Sequence, residues 1–179
     1  MGQLLAQSLR QAALCGSLSD AELDAVAAIA ERVTYVAGEE LFREGEAGDG
    51  LYLVVAGEVD VVKRTPGGER SLARLGAGGV LGEMSLLTED TRSATGRALV
   101  DTQVIRLSAP AFRALLREGA PGALKVVAGI AEVLARRVAV MNAKVVELAE
   151  KAEKTQPDSD TAKAEKLVQL HRTLQVWSF

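Results

Sequence analysis

Hydrophobic positions along this chain change period twice, and each change marks a change of element. Near the N-terminus they recur at helical spacing: Leu5, Leu9 and Ala12 share one face, and after Gly16 the residues Leu23, Val26 and Ala27 form a second stripe. Ser19 and Glu22 stand at the spacing of a capping box, in which each side chain accepts a hydrogen bond from the other residue's backbone N–H. Residues 1–31 are therefore predicted to be an N-terminal helical segment.

From residue 32 the period falls to two. The runs "LYLVVA" and "EVDVVKR" flank Gly57, "TPGGE" is a hairpin signal before "RSLARL", and "GRALV" and "TQVIRLS" follow later. Gly38, Gly45, Gly48, Gly50, Gly67, Gly68, Gly76, Gly78 and Gly79 punctuate these runs. Short strands at such spacing predict an α+β fold whose core, residues 32–108, is an eight-stranded β jelly-roll barrel (a double-stranded β-helix). N-terminal helices precede it and a long C-terminal helix follows.

After Ala109 the helical period returns, and residues 109–154 are expected to hold a short helix and a long dimerisation or capping helix. The short one, "APAFRALLREG", closes at Gly119 and Pro121. In the long one Val127, Ala131, Leu134, Val138, Met141, Val145, Leu148 and Ala152 alternate steps of four and three, the period of a coiled coil. A homodimer through residues 122–153 is the expected use of that seam, with packing on the protein's own barrel as the alternative. Val126, Ile130 and Val133 form a second apolar face suited to the barrel. A polar linker (155–162) leads to an amphipathic tail (163–179) carrying Leu167, Leu170, Leu174, Trp177 and Phe179, which suits an unknown protein partner.

Composition narrows the function classes. The 179 residues are 48% hydrophobic, enough for a sizeable core, and the formal net charge of −3 with 3% aromatic residues argues against a nucleic-acid partner. Cys15 is the lone cysteine, which excludes an intrachain disulfide framework and suits a small buried residue. The single histidine, His171, lies in the tail, so neither a metal-dependent enzyme nor a haem protein is expected. The acid-rich "EGEAGDG" lacks a metal-binding ladder and reads as a turn. No metal, cofactor or catalytic residue is predicted. Arg136 and Arg137 interrupt the longest apolar stretch, and the N-terminus lacks the pattern of a signal peptide, so a cytoplasmic protein off the membrane is expected.

Candidate chemistry concentrates in "GEMSLLTEDTRSATGRA", residues 82–98. Gly82 lets backbone N–H groups approach an anion, Arg92 offers a charge-assisted fork to phosphate, and Glu83, an acceptor only, suits a sugar hydroxyl. The residues leave two readings open: an ordinary loop ion pair, or a site for a ligand with a phosphate beside a ribose hydroxyl.

The same stretch resembles the phosphate-binding cassette of cyclic nucleotide-binding domains, of the catabolite activator and protein kinase A regulatory subunit type. "LSDAELDAVAAIAERVTYVAGEELF" and "LFREGEAGDGLYLVVAGEVDVVKR" resemble the entry helix and central strands of that family, so the likeness spans roughly residues 15 to 150. It implies that Glu83 accepts the ribose 2′-hydroxyl, with Gly82 and the backbone of Met84 and Ser85 near sugar and phosphate. It also implies that Arg92 binds the exocyclic phosphate oxygens with Ser93 beside it.

"ARRVAVMNAKV" resembles the dimer helix of the catabolite activator, where two hydroxyl residues touch adenine. Met141 and Asn142 hold those positions here, so Asn142 is the candidate for the base, and Arg137 is placed to support Glu83. Leu81, Gly96 and Thr91 replace a usual phenylalanine, valine and proline. The resemblance is to bacterial relatives, which implies cAMP as ligand, with cGMP as the alternative. With 25 residues after Lys154, a stand-alone domain without the helix-turn-helix of the related transcription factors is expected. The expected function is a non-enzymatic cyclic nucleotide sensor that signals through its C-terminal helices. The competing reading is a ligand-free scaffold that acts through protein contacts.

Overall fold

The capping box closes as its spacing predicts: Ser19 N–H donates to Glu22 Oε2 at 2.7 Å and Glu22 N–H donates to Ser19 Oγ at 3.4 Å. The computed structural model describes residues 2–10, 12–88 and 90–155. The expected linker beyond Thr155 and the tail, with His171, Trp177 and Phe179, lie outside the described residues. The chain divides into two compact units, Met1–Val133 and Leu134–Phe179.

The first unit opens with α1 (Gly2–Arg10), a 3-10 turn (Ala13–Cys15) and α2 (Asp20–Ala27). Eight strands follow: β1 (Ala30–Tyr35), β2 (Glu40–Phe42), β3 (Gly50–Ala56), β4 (Val59–Thr65), β5 (Gly68–Leu75), β6 (Val80–Leu81), β7 (Thr95–Ala98) and β8 (Thr102–Ser108). The short helix α3 (Glu83–Thr88) lies between β6 and β7, and α4 (Ala109–Arg117) and the start of α5 (Pro121–Thr155) follow β8. The first strand begins at Ala30 rather than 32, because Ala30 already pairs with Leu107 of β8.

These strands form two antiparallel sheets, β1-β8-β3-β6 and β2-β7-β4-β5. The fold is a β-sandwich with eight strands and flanking helices, and each sheet keeps its own hydrogen-bond ladder instead of joining the other in a closed barrel. The two-residue β6 (Val80 and Leu81), paired with β3, forms one edge of the first sheet, and β5 forms one edge of the second. The sequence "TPGGE" makes its hairpin, with Thr65 opposite Gly68.

Phe42, Tyr52, Val54, Val59, Leu81, Ala98 and Val104 meet between the sheets as one core. The alternate residues of the same strands, Leu51, Leu53, Ile105 and Leu107, are equally buried, as are Phe112 of α4 and Leu86 of α3. Both faces of β3 are thus covered, which explains why "LYLVV" reads as an unbroken apolar run. A second buried set, Leu9, Leu14, Cys15, Leu23, Val26, Val126 and Ile130, belongs to the helices. Burial pushes the Cys15 thiol up to about 12, so it behaves as a small apolar residue. The Val126–Ile130 face of α5 rests on the N-terminal helices where the sequence suggested the barrel. A Cβ at Gly129 would lie 2.6 Å from Leu14 Cα, and Lys125 Nζ pairs with Glu22 at 2.7 Å.

The second unit continues α5. Its heptad positions Val138, Met141 and Leu148 are 44%, 62% and 55% exposed. Glu147 sits between Lys144 and Lys151 at i−3 and i+4, the spacing that supports an exposed helix. Among the described residues, no helix is long and apolar enough to cross a membrane.

Candidate functional site

Pairing of Tyr52 with Leu81 and of Leu53 with Val80 brings the end of β6 beside the start of β3. The chain then turns at Gly82 with φ of +79°, a left-handed conformation that favours glycine. A Cβ there would collide with Arg92 Nη1 and approach Gly50 O to 2.8 Å. The turn at Gly82 is therefore moulded against the Arg92 guanidinium. Glu83 begins α3 and is 5% exposed, Met84 faces solvent, Ser85 lies in the same helix, and buried Leu86 fastens the helix to the sandwich. Thr88 Oγ1 donates to Met84 O at 3.0 Å and closes its last turn.

The returning segment is tied to the loop after β2. Arg92 N–H donates to Glu46 O at 2.8 Å, Gly45 N–H donates to Arg92 O at 2.9 Å, and Ala47 bridges Thr91. These bonds aim the Arg92 side chain inward, where it is 3% exposed. Its Nη2 meets Asp49 Oδ1 at 2.6 Å and donates to Gly50 O at 2.7 Å, while Nη1 donates to Gly82 O at 3.2 Å. The guanidinium carbon lies 4.2 Å from the centre of the Phe42 ring and 5.4 Å from that of Tyr52. Such stacking on two rings is a cation–π arrangement in a dry setting, where it is strongest.

Asp49 is the hub of this cluster. Its Oδ2 accepts from Arg106 Nη1 at 2.6 Å, the Tyr52 hydroxyl donates to both oxygens at 3.0 Å, and Arg106 continues to Glu31 at 2.5 Å. Burial pushes the Asp49 carboxyl up, but hydrogen bonds from Arg92, Tyr52 and Arg106 outweigh it and hold the group below its ordinary value. Burial and then the Asp49 charge push the Tyr52 phenol well up, so it stays a neutral donor.

Beyond Arg92 the cassette is braced a second time. Lys63 Nζ donates to Ser93 O at 2.7 Å and pairs with Glu44 at 2.8 Å. Glu44 in turn accepts from Arg64 N–H and donates its own N–H to Thr95 Oγ1, both at 3.0 Å. Gly96 leaves no hole. A Cβ there would lie 3.0 Å from Phe42 Cζ and 3.1 Å from Leu81 Cδ1, so the ring that carries Arg92 fills the space.

The structure thus gathers Gly82, Glu83, Met84, Ser85, Arg92 and Ser93 around one turn of chain. Asn142 and Arg137 lie on α5 in the second unit, the former exposed and the latter half-buried. Sequence reasoning missed Asp49, Phe42, Tyr52, Arg106, Lys63 and Glu44. Only the acid-rich "EGEAGDG", which holds Glu44 and Asp49, carried a visible signal. Among the described residues no three acid, histidine or cysteine side chains converge as metal ligands. A cleft of about 830 Å³ opens between β1 and β2, bordered by Tyr35, Glu40, Phe42, Arg43 and Arg97. Arg43 and Arg97 are both paired with Glu40 there. Chemically, the cassette offers a buried acceptor-only carboxylate and a planar fork of donors on one turn, suited to hydroxyl and anion on one ligand.

Three comparisons with known proteins point to one family. Residues 32–119 match the family described as "Cyclic nucleotide-binding domain". The chain is 40% identical over 123 residues to the cyclic AMP receptor protein of Thermus thermophilus, covering 68% of this chain and 55% of that one. It therefore spans about half the length of that relative. A cyclic nucleotide-binding domain from Methylobacillus flagellatus superposes with a TM-score of 0.71 at 27% identity, covering 82% of this chain and 83% of that one. A cyclic nucleotide-binding-like protein from Brucella abortus is 35% identical with a TM-score of 0.55, covering 63% and 97%.

Proposed function

The chain belongs to the cyclic nucleotide-binding domain family, and we propose that it is a cAMP sensor whose C-terminal helices pass ligand binding to a partner protein. The observation that carries this reading is the buried Arg92, locked between the Gly82 turn and the Phe42 ring beside a buried Glu83. A buried guanidinium and a buried carboxylate at the two ends of one cassette suit a ligand that carries an anionic phosphate beside a hydroxyl. Arg92 takes the exocyclic oxygens, Ser93 adds its hydroxyl and N–H, and Glu83 accepts the ribose 2′-hydroxyl. Gly82 and the backbone of Met84 and Ser85 close on sugar and phosphate.

The names of two relatives, a cyclic AMP receptor protein and a cAMP-dependent protein kinase regulatory subunit, support a regulatory role. The Thermus relative is called a cyclic AMP receptor protein, which favours cAMP over cGMP. The exposed seam of α5 supports a homodimer, and a ligand that binds one helix arrangement better shifts a two-state equilibrium toward it. A second reading, a scaffold without ligand, draws on the fact that Asp49 and two carbonyls already hold Arg92.

Binding of cAMP and 2′-deoxy-cAMP to the wild type and to Glu83→Gln tests the reading. The wild type should prefer cAMP by roughly tenfold or more, since a missing hydroxyl takes a donor away from a buried carboxylate, and Glu83→Gln should erase most of that preference. Equal affinities in the wild type would remove Glu83 from the ribose. No binding of either nucleotide would leave the scaffold.

A further inference from the structure

We propose that Lys63 is a second cation of the cyclic-phosphate site, held in reserve by Glu44. The inference rests on the reading of the cassette given above and adds to it a residue that no likeness to a known family pointed out. Lys63 lies on β4, whose neighbour Val62 pairs with Thr95, and its ammonium reaches past that pair to Ser93 O at 2.7 Å. Ser93 directly follows Arg92, and its own hydroxyl and N–H are assigned to the phosphate, so the ammonium and that position lie on two sides of a single residue. At that separation an anion feels the ammonium well inside the Debye length. Arg70 is the cross-strand partner of Lys63, so the same face of the β4–β5 hairpin carries a further positive charge.

Glu44 is what makes this a reserve and not a simple brace. Its carboxylate is fixed by Arg64 N–H at 3.0 Å, and its backbone by Thr95 Oγ1 at 3.0 Å. The hydrogen bond from Arg64 N–H and then the Lys63 ammonium hold its carboxyl below the ordinary range, so it is charged at neutral pH. The anion is therefore anchored whether or not the lysine stays with it. Lys63, in contrast, is a point charge on a flexible stem, with three donors against two acceptors, Glu44 and Ser93 O. A phosphate arriving at Arg92 and Ser93 draws this ammonium toward itself, while the fixed Glu44 opposes the same phosphate.

The two partners should therefore act on affinity with opposite signs. Equilibrium titration with cAMP, on the full chain, compares the wild type with Lys63→Met, Lys63→Arg and Glu44→Gln, with melting temperatures as a check on folding. Lys63→Met should weaken binding by about three- to tenfold, the range of a half-exposed charge contact, and Lys63→Arg should recover most of the loss. Glu44→Gln, which keeps an acceptor for Arg64 N–H, should tighten binding by about two- to threefold. Raising salt should shrink both effects together. Weakening by both Lys63→Met and Glu44→Gln would show a purely structural brace and overturn the proposal. An unchanged affinity in Lys63→Met, with the wild type binding normally, would overturn it alone. A wild type that binds no cyclic nucleotide would overturn the cassette reading and this inference with it.

Discussion

The cassette around Arg92 and the outer half of α5 differ in how far the chain fills its own contacts. Arg92 is 3% exposed and surrounded by Asp49, two carbonyls and two rings, all from its own protomer. On α5, Met141 and Leu148 keep a heptad rhythm yet stay 62% and 55% exposed. The inner part of the same helix shows that the rhythm alone does not leave residues bare, since Val126 and Ile130 are buried among the N-terminal helices. Regular apolar spacing thus has two outcomes here: burial among the chain's own helices, and an exposed seam along α5. Substitutions in the two regions should separate protomer stability from assembly.

The largest stability effect is expected at Gly82. Ala at that position needs φ of +79° and pushes its Cβ into Arg92, so Gly82→Ala should lose about 3 kcal/mol in denaturant unfolding. A change below about 0.5 kcal/mol would mean that the turn is not moulded on the arginine.

Asp49→Asn should come next, with a loss of about 2 kcal/mol at neutral pH, moderated by the partial exposure of the carboxylate. Its pH dependence has a definite sign. The Asp49 pKa is lower in the folded protein than its ordinary 3.8, so its contribution is complete above that value and is lost as pH falls through the lower folded-state value. Unfolding curves of wild type and Asp49→Asn should therefore converge in acid. A gap that persists at low pH would assign the effect to packing instead of charge.

The smallest effect on protomer stability belongs to the seam. Val138→Asp with Met141→Asp should change protomer stability by less than about 1 kcal/mol while shifting the molecular mass measured by light scattering from dimer to monomer. A wild type that is already monomeric at high concentration would remove the dimer from the account.

Much of this molecule was legible in its sequence, for reasons of local chemistry. The capping box at Ser19 and Glu22, the hairpin at Pro66–Gly67 and the strands around Gly57 depend on neighbours a few residues apart. Glu83 and Arg92 were legible because the cassette is a contiguous stretch. Their supports were not. Asp49 lies 43 residues from Arg92 in sequence, and only the pairing of β3 with β6 and the tie from Glu46 to Arg92 bring them together. Gly96 looked like a weak point because a missing side chain shows in sequence, whereas the Phe42 ring that replaces it arrives from another strand. The division of eight strands into two sheets was equally hidden, since strand counting does not reveal that β6 is only two residues long.

The central claim is that Arg92 is held in place for a cyclic phosphate. Calorimetric titration of the wild type, Arg92→Lys and Arg92→Ala with cAMP and cGMP tests it most directly. The account predicts about micromolar or tighter binding of cAMP by the wild type, a loss of roughly hundredfold in Arg92→Ala, and an intermediate loss in Arg92→Lys, which keeps charge but not the planar fork. Binding of equal strength in folded wild type and Arg92→Ala would contradict it.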